Sequence, residues 1–479
     1  MNLGVIIAPK HIKNFITIGF FSLQIFCCFA QNDSTEILKI NNIFIEGNFK
    51  TKEQIITREL SIEKEESYQR YKLDSMFEWA RNRIYNTNLF NEVIIEMVNE
   101  NQGQVDVKIT VDERWYLYPF PIFRLTDRNF NDWWVNRDHD LSRVNYGLKL
   151  TQFNFRGRNE ILRLWLQTGF ETVLNLFYQI PYIDRQQKHG LLISSSYFEA
   201  KNVPATTVDN VRRFASSREE VLRRAYSNSL SHSYRSSFYS FHRTSIGHVN
   251  VNIADTIALI NPNYLGESRT EQQYFTLGYS YSWDKRNNVN YPTQGEWFRA
   301  GISKVGLGLY DNGVDYWVAR LRMTKYSEFK DNFFLVNNVS IMSTFPADPR
   351  SYFNYHAIGF RKEVLRGYDL KLIEASSYVL QRNEFKHQLF GRKYNVSKAM
   401  PIRQFQTFPI TIYGKIYFDQ GYAIGYPNYE GSAPLTDKYL YSLGTGLDLI
   451  VVNDLTFRFE LSRNAEDETH FFINLLSLF

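Results

Sequence analysis

Alternation with a period of two dominates the last three-quarters of the chain. In the run YFTLGYSYSWD, Phe275, Leu277, Tyr279, Tyr281 and Trp283 interleave with Thr276, Gly278, Ser280, Ser282 and Asp284. In NEILRLWLQTG, Leu162, Leu164 and Leu166 are set against Arg163, Trp165 and Gln167, and in YWVARLRMT, Trp317, Ala319, Leu321 and Met323 oppose Arg320 and Arg322. Such runs predict strands with one apolar and one polar face. A soluble sandwich also alternates, but it buries arginines poorly on one face of so aromatic a strand. A membrane barrel turns the apolar set to lipid and the polar set to a watery lumen. Residues 120–479 suit roughly 16 strands of about 10 residues, with 14 and 18 the even-numbered competitors. The tract from Ala200 to Glu271, rich in Ser, Arg and Asn, predicts strands and at least one large external loop.

The rhythm differs before residue 120. Ile37 to Asn48 reads as a strand ending in a Gly-Asn turn, and Thr51-Lys52-Glu53-Gln54 has the form of a capping box opening a short helix to Leu60. Leu73, Met76, Phe77, Ala80 and Ile84 then fall on one helical face. Two alternating runs, Glu92–Val98 and Gln104–Glu113, flank a Gln102-Gly103 turn. The order is β-α-α-β-β. Pro119 and Pro121 read as a stiff linker to the barrel.

At the start of the chain, Lys10 and Lys13 precede an apolar run, Phe15 to Ala30, broken by Thr17, Ser22 and Gln24. This predicts a secretory signal over residues 1–30, with a retained N-terminal anchor as the alternative. Both cysteines, Cys27 and Cys28, lie inside it, so the mature chain is expected to hold no disulfide and no thiolate site. The expected domains are therefore the signal, 1–30, a small α+β unit, 31–118 (core 37–113), and a barrel, 119–479.

Composition sharpens this picture in two ways. A mean hydropathy of −0.37 excludes a helical membrane bundle but not a barrel, although aromatics reach 16%. Loss of Lys10 and Lys13 would lower the formal charge from +5 to +3, too little to argue for nucleic acid.

INNIFIEGNFKTKEQIITREL, NTNLFNEV and VDVKITVDE closely resemble a POTRA domain, in a single copy. The remainder resembles the barrel of the BamA/TamA-type, or bacterial surface antigen, family. Four motifs carry that likeness in family order: DKRNNVNYPTQGEW, with Asp284, Tyr291, Pro292 and Gly295; VLRGYD, with Arg366, Gly367 and Tyr368; YFDQG, with Asp419 and Gly421; and SLGTGLDL, with Gly444 and Gly446. Pro292 and Gly295 are expected to make a tight turn. The resemblance implies that the loop bearing Arg366 folds back into the lumen. A guanidinium there needs a carboxylate of matching geometry. Asp419 shares a strand face with Tyr417 and Gly421, and the glycines leave room for a loop to approach, so an Arg366–Asp419 pair is expected, with Glu384 a second partner. The alternative is two unrelated charges on external loops. The chain ends on Phe479, the terminal aromatic that outer-membrane barrels carry as an assembly signal. The final strand, His470 to Phe479, lacks the glycine that would kink the seam.

Enzymatic chemistry has no sequence basis. The nine histidines form no His-Glu-x-x-His pair, and no Gly-x-Ser-x-Gly elbow or phosphate-binding glycine loop is present. Acidic residues are too dispersed for a calcium loop. A non-enzyme without metal or cofactor is expected. The resemblance implies a bacterial outer-membrane protein, its POTRA domain in the periplasm, that inserts barrel proteins or translocates polypeptides without ATP. Capture of unfolded clients on the POTRA sheet and lateral opening of the barrel seam would do the work. The expected partners are unfolded outer-membrane or secreted polypeptides, the lipid bilayer and accessory periplasmic proteins. The alternatives are a dedicated two-partner-type secretion pore and a passive porin.

Overall fold

The computed structural model describes residues 36–125, 144–310, 313–348, 351–359, 363–397, 400–427, 429 and 431–476. The expected signal segment and Phe479 lie outside these residues. No described helix is long and apolar enough to cross a membrane.

The first unit comprises β1 (Ile37–Glu46), α1 (Glu53–Thr57), β2 (Ser67–Gln69), α2 (Arg70–Tyr85), β3 (Phe90–Asn101) and β4 (Gln104–Glu113). Its sheet has the order β2-β1-β4-β3, with β1 parallel to β4. The alternating residues of β1 and β4 and the apolar face of α2 meet in one core, including Leu38, Ile40, Leu73, Phe77, Val107 and Ile109. Gln102 and Gly103 both take positive φ, 48° and 76°, as a two-residue hairpin with native twist requires. β2 was not foreseen. The capping box is not formed: α1 starts at Glu53, its N-cap Lys52 makes no side-chain cap, and the Thr51 hydroxyl donates to the Glu113 carboxylate at 2.5 Å. A buried carboxylate accepting from Thr51 outcompetes a cap on a five-residue helix.

The second unit is a barrel. Its strands are β5 (Leu117–Leu125), β6 (Val144–Phe155), β7 (Glu160–Gly169), β8 (Glu171–Ile180) and β9 (His189–Ala200). After a hairpin of β10 (Asn202–Val208) and β11 (Val211–Ser216) come β12 (Arg223–Arg235) and β13 (Ser240–Ile253). Past α3 (Asp255–Ile260) follow β14 (Glu271–Asp284), β15 (Gly295–Val305), β16 (Tyr316–Lys330) and β17 (Phe333–Phe345). Beyond a loop clasped by β18 (Ala357–Ile358) and β19 (Ile373–Glu374) come β20 (Ser377–Asn395), β21 (Thr407–Ile424), β22 (Tyr439–Ile450), β23 (Thr456–Asn464) and β24 (Thr469–Leu476). Leaving aside the hairpin and the clasp, these strands form one 16-stranded antiparallel sheet in near-sequential order from β24 to β5. Leu277 and Tyr279 face outward, while Ser280, Gly278, Arg320 and Arg322 line a luminal cavity of about 470 Å³.

One expectation is corrected at the start of the barrel. Pro119 and Pro121 are not in a linker; they lie inside β5, which pairs with β6. The barrel therefore begins at Leu117, and Val144–Phe155 is its second described strand. Prolines survive here because β5 is a terminal strand and their missing amides face away from β6.

At the end remote from the first unit the loops close over the lumen. The β10–β11 hairpin reaches across to the β21–β22 loop, where the Asp209 amide donates to the Ser432 carbonyl at 3.0 Å. The strands carrying these two loops are half the sheet apart in strand order. At the near end the first unit is bolted to the barrel turns. Arg235 grips Glu59 through two bonds of 2.7 and 2.6 Å, and Arg83 stacks 4.1 Å above the Phe238 ring. Tyr85 and Arg114 both donate to Asp454, between β22 and β23, at 3.1 and 3.0 Å. Burial, then the Asp454 carboxylate, push the Tyr85 phenol above its ordinary range and keep it a neutral donor.

Candidate functional site

The wall formed by β20 to β23 turns polar side chains and two glycines to the lumen on alternate residues. On β21 the side chains are those of Lys415, Tyr417 and Asp419; on β22, those of Ser442 and Asp448, with Gly444 and Gly446 between them; on β23, those of Arg458, Glu460 and Ser462. The register sets Tyr417 opposite Gly444 and Lys415 opposite Gly446. A Cβ at Gly444 would overlap the Tyr417 ring, and one at Gly446 would strike the Phe459 carbonyl of β23 and crowd the Lys415 and Glu460 side chains. The two glycines thus clear a path across β22. Tyr417 reaches Ser462 on β23 at 2.6 Å, and Lys415 donates to Glu460 at 2.8 Å and to Asp448 at 2.7 Å. Gly421 has a separate job: it leaves space for the Leu380 side chain opposite it.

Onto this wall descends the loop between β18 and β19. The Arg366 guanidinium forks onto Asp419, with Nε to Oδ2 at 2.7 Å and Nη2 to Oδ1 at 2.5 Å. Its Nη1 donates to Glu384 at 2.5 Å and lies 3.5 Å from Glu460, while the guanidinium carbon sits 3.8 Å above the Tyr417 ring. Asp419 has no exposed surface. The guanidinium is thus engaged along its edges by carboxylates and over one plane by an aromatic ring. Gly367 follows at φ +85°, a region L side chains rarely adopt, and its carbonyl accepts from Asn464 at 2.8 Å. The Tyr368 hydroxyl accepts from the Ala465 amide at 3.3 Å and faces the Tyr441 carbonyl. The loop is held at three successive residues: Arg366 against β20 and β21, and Gly367 and Tyr368 against β22, β23 and the residue that follows β23.

The turn bearing Asp284, Tyr291, Pro292 and Gly295 joins this network from the opposite end. It is not a tight turn at Pro292: the connection from β14 to β15 runs over 285–294 and is pinned by the Asn287 side chain, which accepts from the amides of Thr293 and Gln294. Asp284 pairs with Arg286 beside it, and Gly295, at φ +97°, lets β15 start against the Lys285 carbonyl. Tyr291 projects inward and donates to Asp448 at 2.8 Å. A continuous polar chain results: Tyr291, Asp448, Lys415, Glu460, Arg366, Asp419.

Sequence reasoning named Arg366, Asp419 and Glu384, and the structure brings these three together. It missed Lys415, Asp448 and Glu460, and it missed what Gly444 and Gly446 make room for. The signal was present as charged residues spaced by two or four along a strand, Lys415-x-Tyr417-x-Asp419 and Arg458-x-Glu460, but their juxtaposition depends on register. Among the described residues no cluster of His, Cys, Asp and Glu could hold a metal ion.

The other feature of the site is the pair of strands that end the sheet. Among the described residues no hydrogen-bonded ladder joins β5 to β24, whereas each other neighbouring pair is laddered.

Comparison with known proteins gives consistent matches. The POTRA family, described as a surface antigen variable number repeat, matches residues 38–114, and the Omp85 superfamily domain matches residues 154–461. No curated protein matches. Among solved structures, CdiB from Escherichia coli is 10% identical, with a TM-score of 0.50 over 92% of this chain and 75% of that one. BamA from Haemophilus ducreyi lacking POTRA domains 1–3 is 15% identical, with a TM-score of 0.48 over 91% of this chain and 83% of that one. At 10% identity the likeness to CdiB is one of fold.

Proposed function

The chain belongs to the Omp85 superfamily of outer-membrane POTRA-barrel proteins, and on that premise we propose that it inserts barrel proteins into the outer membrane by capturing unfolded clients and opening its seam, without ATP. Assembly or translocation of polypeptides at the outer membrane is the general activity of this family. The observation that supports lateral opening is that no ladder joins β5 to β24 among the described residues. Unpaired backbone groups cost several kcal/mol each in hydrocarbon, so a strand that satisfies them is bound there. In this reading the first 30 residues are removed after Ala30, and the POTRA domain faces the periplasm. It presents β3, which ends the POTRA sheet, as an edge to which a client strand adds. Arg366 and its carboxylates hold β20 to β23 as a rigid block, so that motion concentrates at the seam. Accessory periplasmic proteins would dock on the POTRA domain. Loops packed across the far end weigh against a passive porin, and a dedicated secretion pore remains the second outcome of the test.

The test locks the seam. With Cys27 and Cys28 changed to serine, Phe123→Cys is paired with cysteine at Phe471, Ile473 or Leu475. Oxidation is expected to stop insertion of a generic outer-membrane barrel into liposomes, and reduction to restore it. Insertion by the locked protein at the unlocked rate overturns lateral opening. Conductance without insertion in either state supports the secretion pore.

A further inference from the structure

The two edges of the seam are chemically unequal. In an antiparallel pair, opposed residues alternate between those that exchange N–H···O bonds and those whose polar groups face away. The Phe153 amide donates to the Tyr116 carbonyl at 2.7 Å, and the register runs on without a break from Leu117↔Gln152 to Leu125↔Val144. Residues 118, 120, 122 and 124 therefore bond to β6, while 117, 119, 121, 123 and 125 point their backbone groups at the seam. Two of those five are Pro119 and Pro121, which have no N–H to give. A third, Leu117, has its carbonyl occupied by the Trp115 indole. The middle of the β5 edge can accept hydrogen bonds but cannot donate, and the proline rings stand where a partner strand would lie.

On β24 the same argument gives the opposite result. The Asn464 amide donates to the Glu468 carbonyl at 3.0 Å, in line with the β23–β24 register, and the Ala465 amide donates to Tyr441 on the other side. Both bonds place the backbone groups of Thr469, Phe471, Ile473 and Leu475 toward the seam. All four keep donor and acceptor. The side chains of Phe471, Ile473 and Leu475 are 61%, 62% and 57% exposed on the outer face, so the edge is flanked by apolar groups at every second residue.

Resting on the insertion reading above, we infer that β24, not β5, is the edge that templates the client, and that the prolines of β5 keep the other edge from competing. The occupant is an extended client segment with apolar residues at alternate positions, matching Phe471, Ile473 and Leu475. β24 runs toward the POTRA end, so an antiparallel partner runs from the POTRA end outward. That direction belongs to the first strand of a client whose termini lie on the POTRA side. β5 then acts as the side that parts.

The test uses the full chain in liposomes, with Cys27 and Cys28 as serine and a client barrel carrying one cysteine in its first strand. Ile473→Cys is expected to cross-link to the client during insertion about tenfold more than Phe123→Cys, the order set by two lost ladder bonds. Adding Pro119→Ala and Pro121→Ala restores both amides and is expected to raise the Phe123→Cys yield toward that of Ile473→Cys. Equal or greater cross-linking at Phe123→Cys with the prolines in place overturns the inference while leaving insertion intact. No cross-link at either edge during active insertion overturns the seam reading itself.

Discussion

At the centre of the POTRA domain lie Ile40, Leu73 and Ile109, without exposed surface; at the centre of the barrel's β20–β23 wall lie Asp419, Asp448 and Lys415, equally buried. The same chain thus builds one interior from hydrocarbon and another from ions. The difference follows from what surrounds each. The POTRA domain stands in water, so removing apolar area from solvent drives its folding. The barrel stands in lipid, its apolar side chains already have a home outside, and its polar residues must find one another inside. Glycine is spent accordingly. In the POTRA domain it serves turns, as at Gly103; on β22 it clears side-chain crossings, as at Gly444 and Gly446.

Removing the central cation tests this contrast most severely. Arg366→Ala leaves Asp419, Glu384 and Glu460 facing one another without their shared counter-charge. The expected cost is about 3–5 kcal/mol, because a buried charge that loses its partner is strongly destabilising. It is read as a lower urea midpoint and less heat-modifiable folded protein on gels. Arg320→Ala, on the more open luminal wall, is expected to cost under about 1 kcal/mol. Equal effects would mean that lumen water screens both sites alike.

On the POTRA side the matching deletion is Ile109→Ala. Ile109 has no exposed surface and packs among β1, β4 and α2. Truncation leaves a cavity costing about 2–5 kcal/mol. Measured on the full chain, the loss should appear as protease sensitivity of the POTRA domain, with the barrel's heat-modifiable form retained. Loss of both together would show that the junction at Arg235–Glu59 and Tyr85–Asp454 couples the two units into one folding transition.

How much of this was legible before the structure depends on whether a feature is local. The POTRA hairpin and the α2 face repeat at short range, and their residues reveal them. Arg366 and Asp419 could be matched because each sits in a compact motif and a charge in a lumen needs a partner. Lys415–Glu460 could not, since it requires knowing that β21 and β23 lie two strands apart with glycines between them. Pro119 and Pro121 misled for the opposite reason. Proline counts against a strand only where its amide is needed, and β5 is a strand whose odd residues face no partner inside the sheet.

A smaller effect sharpens the role of the β22 glycines. Gly444→Ala adds one methyl where the Tyr417 ring lies. The ring must leave the Arg366 guanidinium, and overpacking of this kind costs about 1–3 kcal/mol. The double variant Gly444→Ala/Tyr417→Ala is expected to recover part of the urea midpoint lost by Gly444→Ala alone. No recovery would place the cost in the β22 backbone rather than in the crossing.

The smallest effect is expected where the surroundings are fluid. Leu277 lies in the middle of β14, facing outward, in the alternating run that first suggested a barrel. In a packed core, enlarging a side chain forces neighbours off their rotamers, and Ile109→Phe in the POTRA domain is expected to cost about 1–3 kcal/mol on that account. At Leu277 there is no fixed wall to meet, because acyl chains move aside for the larger ring. Leu277→Phe is therefore expected to leave the barrel's stability within about 0.5 kcal/mol of the parent, as for a substitution that disturbs no packed neighbour. Folding into lipid vesicles, followed by urea titration, measures it. A loss at Leu277 as large as at Ile109 would mean that this face packs against protein, a second barrel or a bound partner, and the inside-out contrast between the two units would fail at the place where alternation made it most visible.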